Sequence, residues 1–329
     1  MIKNIFENDM PPILKDFLIY MQTIKGKSIN TIEVYFYDLR VFLRFLKLHR
    51  NTIPKSTAFD KIGISDIGNV LIKSVTLSDL YAYMSFVSNT RSNAAYARAR
   101  KVASLKSFFN YLTTKAKVLD INPASELETP KIVKRLPRYL NIEESKQLLT
   151  SVEGEHSIRD YAILTLFLNC GMRLSELVGI NLNSIRNNTL SVIGKGDKER
   201  MIPLNSACIA AIDDYRRLRP VDGVKDKKAL FLSERKQRIS KATVQHLVKK
   251  YIISAGLDPK RYSTHKLRHT AATLMYRYGH VDIRALQELL GHESISTTEI
   301  YTHLDTQQLK NAVDSNPLSD FNVPSPKTD

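Results

Sequence analysis

Residues 189–204 read TLSVIGKGDKERMIPL. The runs 189–193 and 199–204 flank the glycine turn Gly194-Lys195-Gly196-Asp197-Lys198, a pattern that predicts a β-hairpin. Upstream, 160–169 (DYAILTLFLN) is an apolar helix that stops at Gly171, where a glycine cap belongs. Asn141 followed three residues later by Glu144 is an N-cap with its reciprocal acid, opening the helix before it. Downstream, helices are predicted over 206–219, 241–255, 264–278, 283–290 and 296–303. A short one over 306–313 precedes a Pro/Ser/Asp-rich tail. One hairpin set among helices defines a mainly α domain with a small β element, over 139–314, with 315–329 as a flexible tail.

From about 11 to 121 the pattern is helical, with one polar connection. Ile32, Tyr35, Phe36, Leu39, Phe42, Leu43 and Leu46 recur at three- and four-residue spacing, a single apolar stripe. Thr76 with Asp79 marks an N-cap for a helix running to about Ser88. A further helix over 92–114 presents Ala95, Val102, Leu105, Phe109 and Leu112 to a core. The polar connection 51–75 has no assignable period. Residues 1–121 therefore form a helical N-terminal domain. The stretch 122–138 follows as a linker, with Pro123, Pro130 and Pro137 against helix and Lys131, Lys134, Arg135 and Arg138 for charge.

The chain has 329 residues, a length suited to two domains, and 49 Lys+Arg against 33 Asp+Glu leave a net charge of +16. That excess points to a polyanion, with nucleic acid first. A hydrophobic content of 43% is enough for real cores. The two cysteines, Cys170 and Cys208, match no CxxC metal pattern, and Cys170 sits on an apolar helix as a core residue does. The longest apolar run, 161–168, is far too short to span a membrane, and MIKNIFENDMPP has no signal-peptide core. The expectation is a soluble, cytoplasmic protein with no membrane partner.

Singly, the chemical motifs are weak. Gly194-Lys195-Gly196 lacks the GxxxxGK[ST] spacing of a nucleotide loop. His265 and His269 stand four apart as zinc ligands do, but HKLRH has no glutamate in the metalloprotease position and carries an arginine between the histidines. Neither a metal nor a nucleotide cofactor is expected. Taken together, GMRLSEL (171–177), GKGDKERMIPL (194–204), HKLRHTAATLMYRYGH (265–280) and LLGHESISTTEIYTH (289–303) occur in order in one domain. This set resembles the tyrosine site-specific recombinases of the lambda integrase family, most of all the Xer group, and the resemblance runs over essentially the whole chain.

The resemblance implies a two-domain DNA clamp: a helical core-binding domain followed by the catalytic domain. By the same token Arg173 and Arg268 correspond to the catalytic arginines and Lys195 to the hairpin lysine. His265 and His292 correspond to the two histidines, and Tyr301 to the nucleophile. Glu176 corresponds to an acid that supports the site without reacting; in isolation it also suits an ordinary helix-surface ion pair. His269, His280 and His303 read as structural neighbours.

The chemistry of these residue types fits. Two guanidiniums grip phosphate oxygens in a planar fork and stay charged, a task that metal ions perform in many nucleases. His265 and Arg268, spaced i,i+3, share a face in the first turn of their helix, where main-chain N–H groups favour an anion. Tyr301, with a reference pKa near 10, would need about 4 kcal/mol to ionise beforehand; a base taking the proton during attack avoids much of that cost, and His265 is the candidate. Lys195 is the candidate acid for the leaving 5′-oxygen, and His292 a hydrogen-bond donor to the phosphate.

For DNA contact the sequence offers Arg91, Arg98 and Lys101 on one helical domain, beside Arg100 and Lys106. It also offers Lys241, Gln245 and Lys249 at i,i+4 spacing on a helix resembling the family's groove-inserting helix. The expected partners are a double-stranded recombination site, copies of the chain in a tetramer docked through 306–313, and a second recombinase or a DNA translocase. Dimer resolution of Xer type is the expected role. Integration or excision of a mobile element, a type IB topoisomerase-like activity and a non-catalytic architectural DNA-binding protein are its rivals.

Overall fold

In a computed structural model, residues 9–54, 56–131, 138–194, 198–279 and 281–291 are described. The chain divides into two units, Met1–Lys134 and Arg135–Asp329. Among the described residues no helix is long and apolar enough to cross a membrane.

The first unit is built on α1 (Pro12–Thr23), α2 (Ile29–His49), the short α3 (Asn69–Lys73), α4 (Leu77–Ser85) and α5 (Ala95–Thr114). Ser28 caps α2, and Thr76 with Asp79 forms the expected capping box on α4. The apolar stripe of α2 buries Phe36, Leu39, Phe42, Leu43 and Leu46. Phe42 meets Tyr83 and Phe109 edge-on at 5.2 and 5.9 Å, and Phe17 meets Phe108 at 5.3 Å. Helix α4 ends earlier than the expected Ser88, because Phe86–Thr90 widens into a π turn.

The connection 51–75 is not slack. It buries Ile62, Ile64, Ile67, Ile72 and Val75. Lys47 Nζ donates to Asp66 Oδ1 at 2.7 Å and to the Gly63 carbonyl at 3.0 Å, and Asp9 accepts the Ile64 N–H at 2.6 Å. Within the stretch 122–138, Ala124 and Leu127 are buried in the first core, and beyond it Leu140 is buried in the second.

One expected DNA contact is corrected here. Lys101 is only 6% exposed, and its Nζ donates to Asp38 at 2.7 Å, with Arg100 on the same carboxylate at 3.0 Å. A lysine used to neutralise a buried aspartate is not available to a phosphate. Arg98 is half-buried and donates to Ser88 Oγ at 2.6 Å; Arg91 lies over the Phe59 ring at 4.8 Å.

The second unit comprises α6 (Ile142–Thr150), α7 (Ser157–Cys170), α8 (Leu174–Gly179), β1 (Ile185–Arg186), β2 (Thr189–Ile193), β3 (Glu199–Pro203), α9 (Ser206–Leu218), α10 (Lys241–Ser254), α11 (Thr264–Tyr278) and α12 (Ile283–Leu290). Asn141 and Glu144 cap α6 reciprocally. Helix α7 is apolar nearly all round because α6, α9 and α11 cover it. Its Cys170 packs against Cys208 of α9, both buried, with the sulfurs 3.7 Å apart.

The hairpin is an antiparallel pair, Leu190 opposite Ile202 and Val192 opposite Arg200. A third strand, β1, was not expected. It pairs with β2 through the two-residue turn Asn187-Asn188, both with positive φ (48° and 58°), the geometry asparagine tolerates in a tight hairpin.

Replacing Lys101 by Met should leave Asp38 under-compensated and lower the stability of the first unit by roughly 3 kcal/mol, seen as a lower calorimetric Tm. The salt dependence of DNA affinity should not change. An unaltered Tm together with a shallower salt slope would return Lys101 to the DNA surface.

Candidate active site

Gly171 ends α7 in the left-handed region (φ 57°), and the chain turns at once into α8, with Arg173 as its N-cap and Glu176 in its first turn. A Cβ on Gly171 would stand 2.8 Å from Leu290 Cδ2, so the turn is both strained and crowded for any other residue.

The Glu176 side chain is wholly buried and accepts from two elements. Its Oε2 takes the Arg173 main-chain N–H at 2.6 Å, and its Oε1 takes Arg173 Nη1 at 2.8 Å. From β3, Arg200 grips the same carboxylate as a fork, Nη1 on Oε1 and Nη2 on Oε2, the latter at 2.9 Å. From α11, Arg268 Nη1 stands 3.9 Å from Oε2. Burial alone would raise the Glu176 pKa, but the hydrogen bonds and charge of Arg200, with those of Arg173, outweigh it and hold the carboxyl below its ordinary value.

The same three guanidiniums converge on a second feature. Arg200 Nε donates to the Leu289 carbonyl at 3.0 Å, Arg268 Nη2 to Leu290 at 2.7 Å and Arg173 Nη2 to Gly291 at 2.6 Å. Three consecutive carbonyls at the C-terminus of α12, which lack partners within the helix and carry its negative dipole end, are each bound by a different arginine. Arg268 also donates to the Gly171 carbonyl at 2.8 Å. Gly291 has φ 63°, and a Cβ there would stand 3.1 Å from Arg200 Cδ and Nη1.

His265 lies in the first turn of α11, its Nε2 3.1 Å from His269 Nε2 with the rings edge to face. That bond requires one ring to donate and the other to accept. Burial, then the charges of Arg268, Lys266 and Arg173, push the His265 imidazole below its ordinary value. A cleft of about 430 Å³ opens over Arg173, Ser175, His265, Arg268 and Lys241.

Of the residues singled out in the sequence, Arg173, Glu176, His265 and Arg268 thus come together, joined by Lys241 from α10. Gln245 and Lys249 follow Lys241 along an exposed face of α10. Lys195, His292 and Tyr301 lie outside the described residues, as do His280, His303 and the helices expected over 296–303 and 306–313. The base of the hairpin nevertheless lies beside the site: a Cβ on Gly194 would be 3.6 Å from Glu176 Oε1 and 3.7 Å from Arg173 Nη1. Sequence reasoning passed over Arg200. The available signal was its position: in β3 it shares the inward face with Ile202, where an arginine needs an anion.

Glu176→Gln keeps the shape and removes the charge, and should lower stability at pH 7 by roughly 3 kcal/mol. Because the folded carboxyl titrates below its ordinary value near 4.5, its contribution is complete above that pH and fades as pH falls through the folded pKa. The gap between wild type and variant in denaturant unfolding should therefore narrow towards pH 3. A gap constant from pH 7 to pH 3 would contradict the charged role.

Residues 138–308 match the phage integrase family. Tyrosine recombinase XerC of Caldanaerobacter subterraneus subsp. tengcongensis is 62% identical over 309 residues, 94% of this chain and 88% of that protein. Tyrosine recombinase XerD of Proteus mirabilis is 36% identical over 92% of each. In fold, the chain is similar to the XerH site-specific recombinase bound to palindromic difH substrate in a post-cleavage complex (TM-score 0.68, 23% identity, 92% of this chain and 94% of that one). It is similar also to a lambda integrase tetramer bound to a Holliday junction (TM-score 0.61, 16% identity, 86% and 77%). The guanidiniums gathered on one buried acid and the match along nearly the whole length lead to one assignment: this chain belongs to the phage integrase family and is a tyrosine recombinase.

Proposed function

We propose that the chain is a site-specific recombinase of Xer type, which cuts and rejoins DNA through a covalent 3′-phosphotyrosine at Tyr301. The observation that carries this reading is the convergence of Arg173 and Arg268 on one buried carboxylate, lining one cleft with His265. Each guanidinium has five N–H donors. The bonds of Arg173 to Glu176 and Gly291 therefore leave donors for a phosphate entering the cleft.

In the reaction, the Tyr301 oxygen attacks phosphorus as the bond to the 5′-oxygen breaks. The tyrosine proton passes to His265, whose depressed pKa keeps the ring neutral and able to accept. Lys195 supplies a proton to the departing 5′-hydroxyl, and His292 donates to a phosphate oxygen. Charge that develops on the non-bridging oxygens meets Arg173 and Arg268, so the chemistry requires neither a metal nor a nucleotide. Phosphodiester energy is kept in the phosphotyrosine, and the reverse attack by a second strand's 5′-hydroxyl rejoins the DNA and builds a Holliday junction.

Identity of 62% with a XerC, against 16% with lambda integrase, supports dimer resolution over integration of a mobile element. The exposed row Lys241, Gln245 and Lys249 supports contact with duplex DNA, the lysines on phosphates and Gln245 at a base edge. In the first unit, Arg91 and Arg98 remain as DNA contacts. The assembly is a tetramer on two sites docked through 306–313, together with a second recombinase or a translocase, in the cytoplasm.

Nicked suicide duplexes, which lose a short fragment after cleavage, should trap a covalent adduct and reveal the site by sequencing of the bound DNA. Tyr301→Phe should form no adduct yet bind that DNA within about twofold of wild type, with affinity falling steeply as salt rises. The acid limb of the cleavage rate should have its midpoint below 6.5, the ordinary His265 value, since protonation removes the base. An adduct with Tyr301→Phe, or efficient relaxation of supercoiled plasmid lacking the site, would defeat this reading.

A further inference from the structure

We infer that Cys170 and Cys208 form a redox-sensitive pair, which a hydroperoxide converts to a disulfide that displaces the turn carrying Arg173 and so slows DNA cleavage. The effect on cleavage rests on the recombinase reading above; the disulfide itself does not. These are the two cysteines of the chain, and the fold brings them together from 38 residues apart. Cys170 is the last residue of α7 and Cys208 lies in the first turn of α9, with the sulfurs 3.7 Å apart. A disulfide bond is about 2 Å long, so one short approach separates the sulfurs from bonding. Both thiols are buried, yet their neighbours reach the surface. Asn205, Ser206 and Ala207, just before Cys208, are exposed. A hydrogen bond from Asn205 Nδ2 to Asn169 Oδ1 (2.8 Å) spans the same two helix ends on the exposed side.

The two thiols are not equivalent. Cys208 sits at a helix start, where main-chain N–H groups and the dipole favour a thiolate. A hydrogen bond with the Cys170 thiol lowers its pKa against the opposing effect of burial, and a bond to the Asn205 main chain adds to that; the shared bond and then burial push Cys170 up. Cys208 is therefore the nucleophile. Its thiolate attacks one oxygen of hydrogen peroxide, the O–O bond breaks, and a sulfenic acid forms as hydroxide leaves and is protonated to water. The Cys170 sulfur then attacks the Cys208 sulfur, the S–S bond forms, and the sulfenic oxygen departs with the Cys170 proton as a second water. Two thiols are oxidised and one peroxide is reduced. A reducing compartment keeps the pair as thiols, so the disulfide registers an oxidising challenge. Its consequence for the site follows from position. Cys170 leads directly into Gly171, which is left-handed and crowded by Leu290, then into buried Met172 and Arg173. Drawing the end of α7 toward α9 moves that turn, and a displacement on the order of 1 Å is enough to cost a large factor in rate.

The test treats the full chain with hydrogen peroxide, quenches it in denaturant with N-ethylmaleimide, and counts alkylated thiols by intact mass. Single-turnover cleavage of the suicide duplex is measured in parallel. Wild type should lose both alkylatable thiols while remaining a single chain on a non-reducing gel, and should cleave about tenfold more slowly, the scale expected of a misplaced catalytic group. Dithiothreitol should restore both the thiols and the rate. Cys208→Ala should cleave at the wild-type rate before and after peroxide, which separates the disulfide from oxidation elsewhere; Cys208→Ser carries the same comparison where Cys208→Ala does not fold. Two thiols still alkylated in treated wild type, or equal slowing of Cys208→Ala, would overturn the inference. So would a disulfide that leaves cleavage unchanged. A reduced wild-type chain that forms no adduct would overturn the recombinase reading, and with it the effect on cleavage, whereas the disulfide is still decided by the thiol count.

Discussion

A single carboxylate organises the catalytic unit. Glu176 is withdrawn from water entirely, and an isolated charge in that position would be prohibitively costly. It persists because hydrogen bonds arrive from its own helix start and from β3, with the Arg268 charge of α11 close by. Those contacts fix the relative placement of three elements that share no continuous stretch of sequence. The acid also cancels part of the positive charge in a pocket where three guanidiniums would otherwise repel one another.

The end of α12 is the counterpart of that acid. Its last carbonyls would be left without partners, and arginine side chains from α8, α11 and β3 complete them. On the proposed reading two of them, Arg173 and Arg268, are both scaffold and reagent. Guanidinium suits this double duty, because it is planar, permanently charged and carries five donors in fixed directions, so that some hold the fold while others meet a ligand. Lysine has no such geometry. On the proposed reading Arg173 and Arg268 are held in place before any DNA arrives, and little reorganisation is needed when charge develops on the phosphate.

The first unit shows the limit of reading function from charge alone. Its basic residues stand close together in the sequence, yet they do different work. Lys101 is consumed by buried Asp38, Arg100 shares that acid, Arg98 ties α5 to the turn before it, and Arg91 lies on an aromatic ring. An excess of lysine and arginine announces a polyanion partner for the chain as a whole. It does not say which side chains face that partner.

What the sequence determined by itself is the set of features written in local physics. Helix starts at Thr76 and Asn141, the glycine stop at Gly171, the period of the α2 stripe and the hairpin over 189–204 depend on neighbours within a few residues, and each is present as expected. The motif set disclosed the family in the same way, since its residues are legible one by one. The tertiary structure alone decided what depends on meetings between distant segments. Arg200 became part of the site only when β3 brought it to Glu176, and Lys101 left the DNA surface only when α5 packed it against Asp38 of α2. The segment 51–75 has no legible period because scattered long-range contacts hold it, the burial of Ile62, Ile64 and Ile67 together with the bond of Lys47 to Asp66. A charge declares its sign in sequence, but its partner is set by packing, and the partner determines whether that charge holds the fold or meets the substrate.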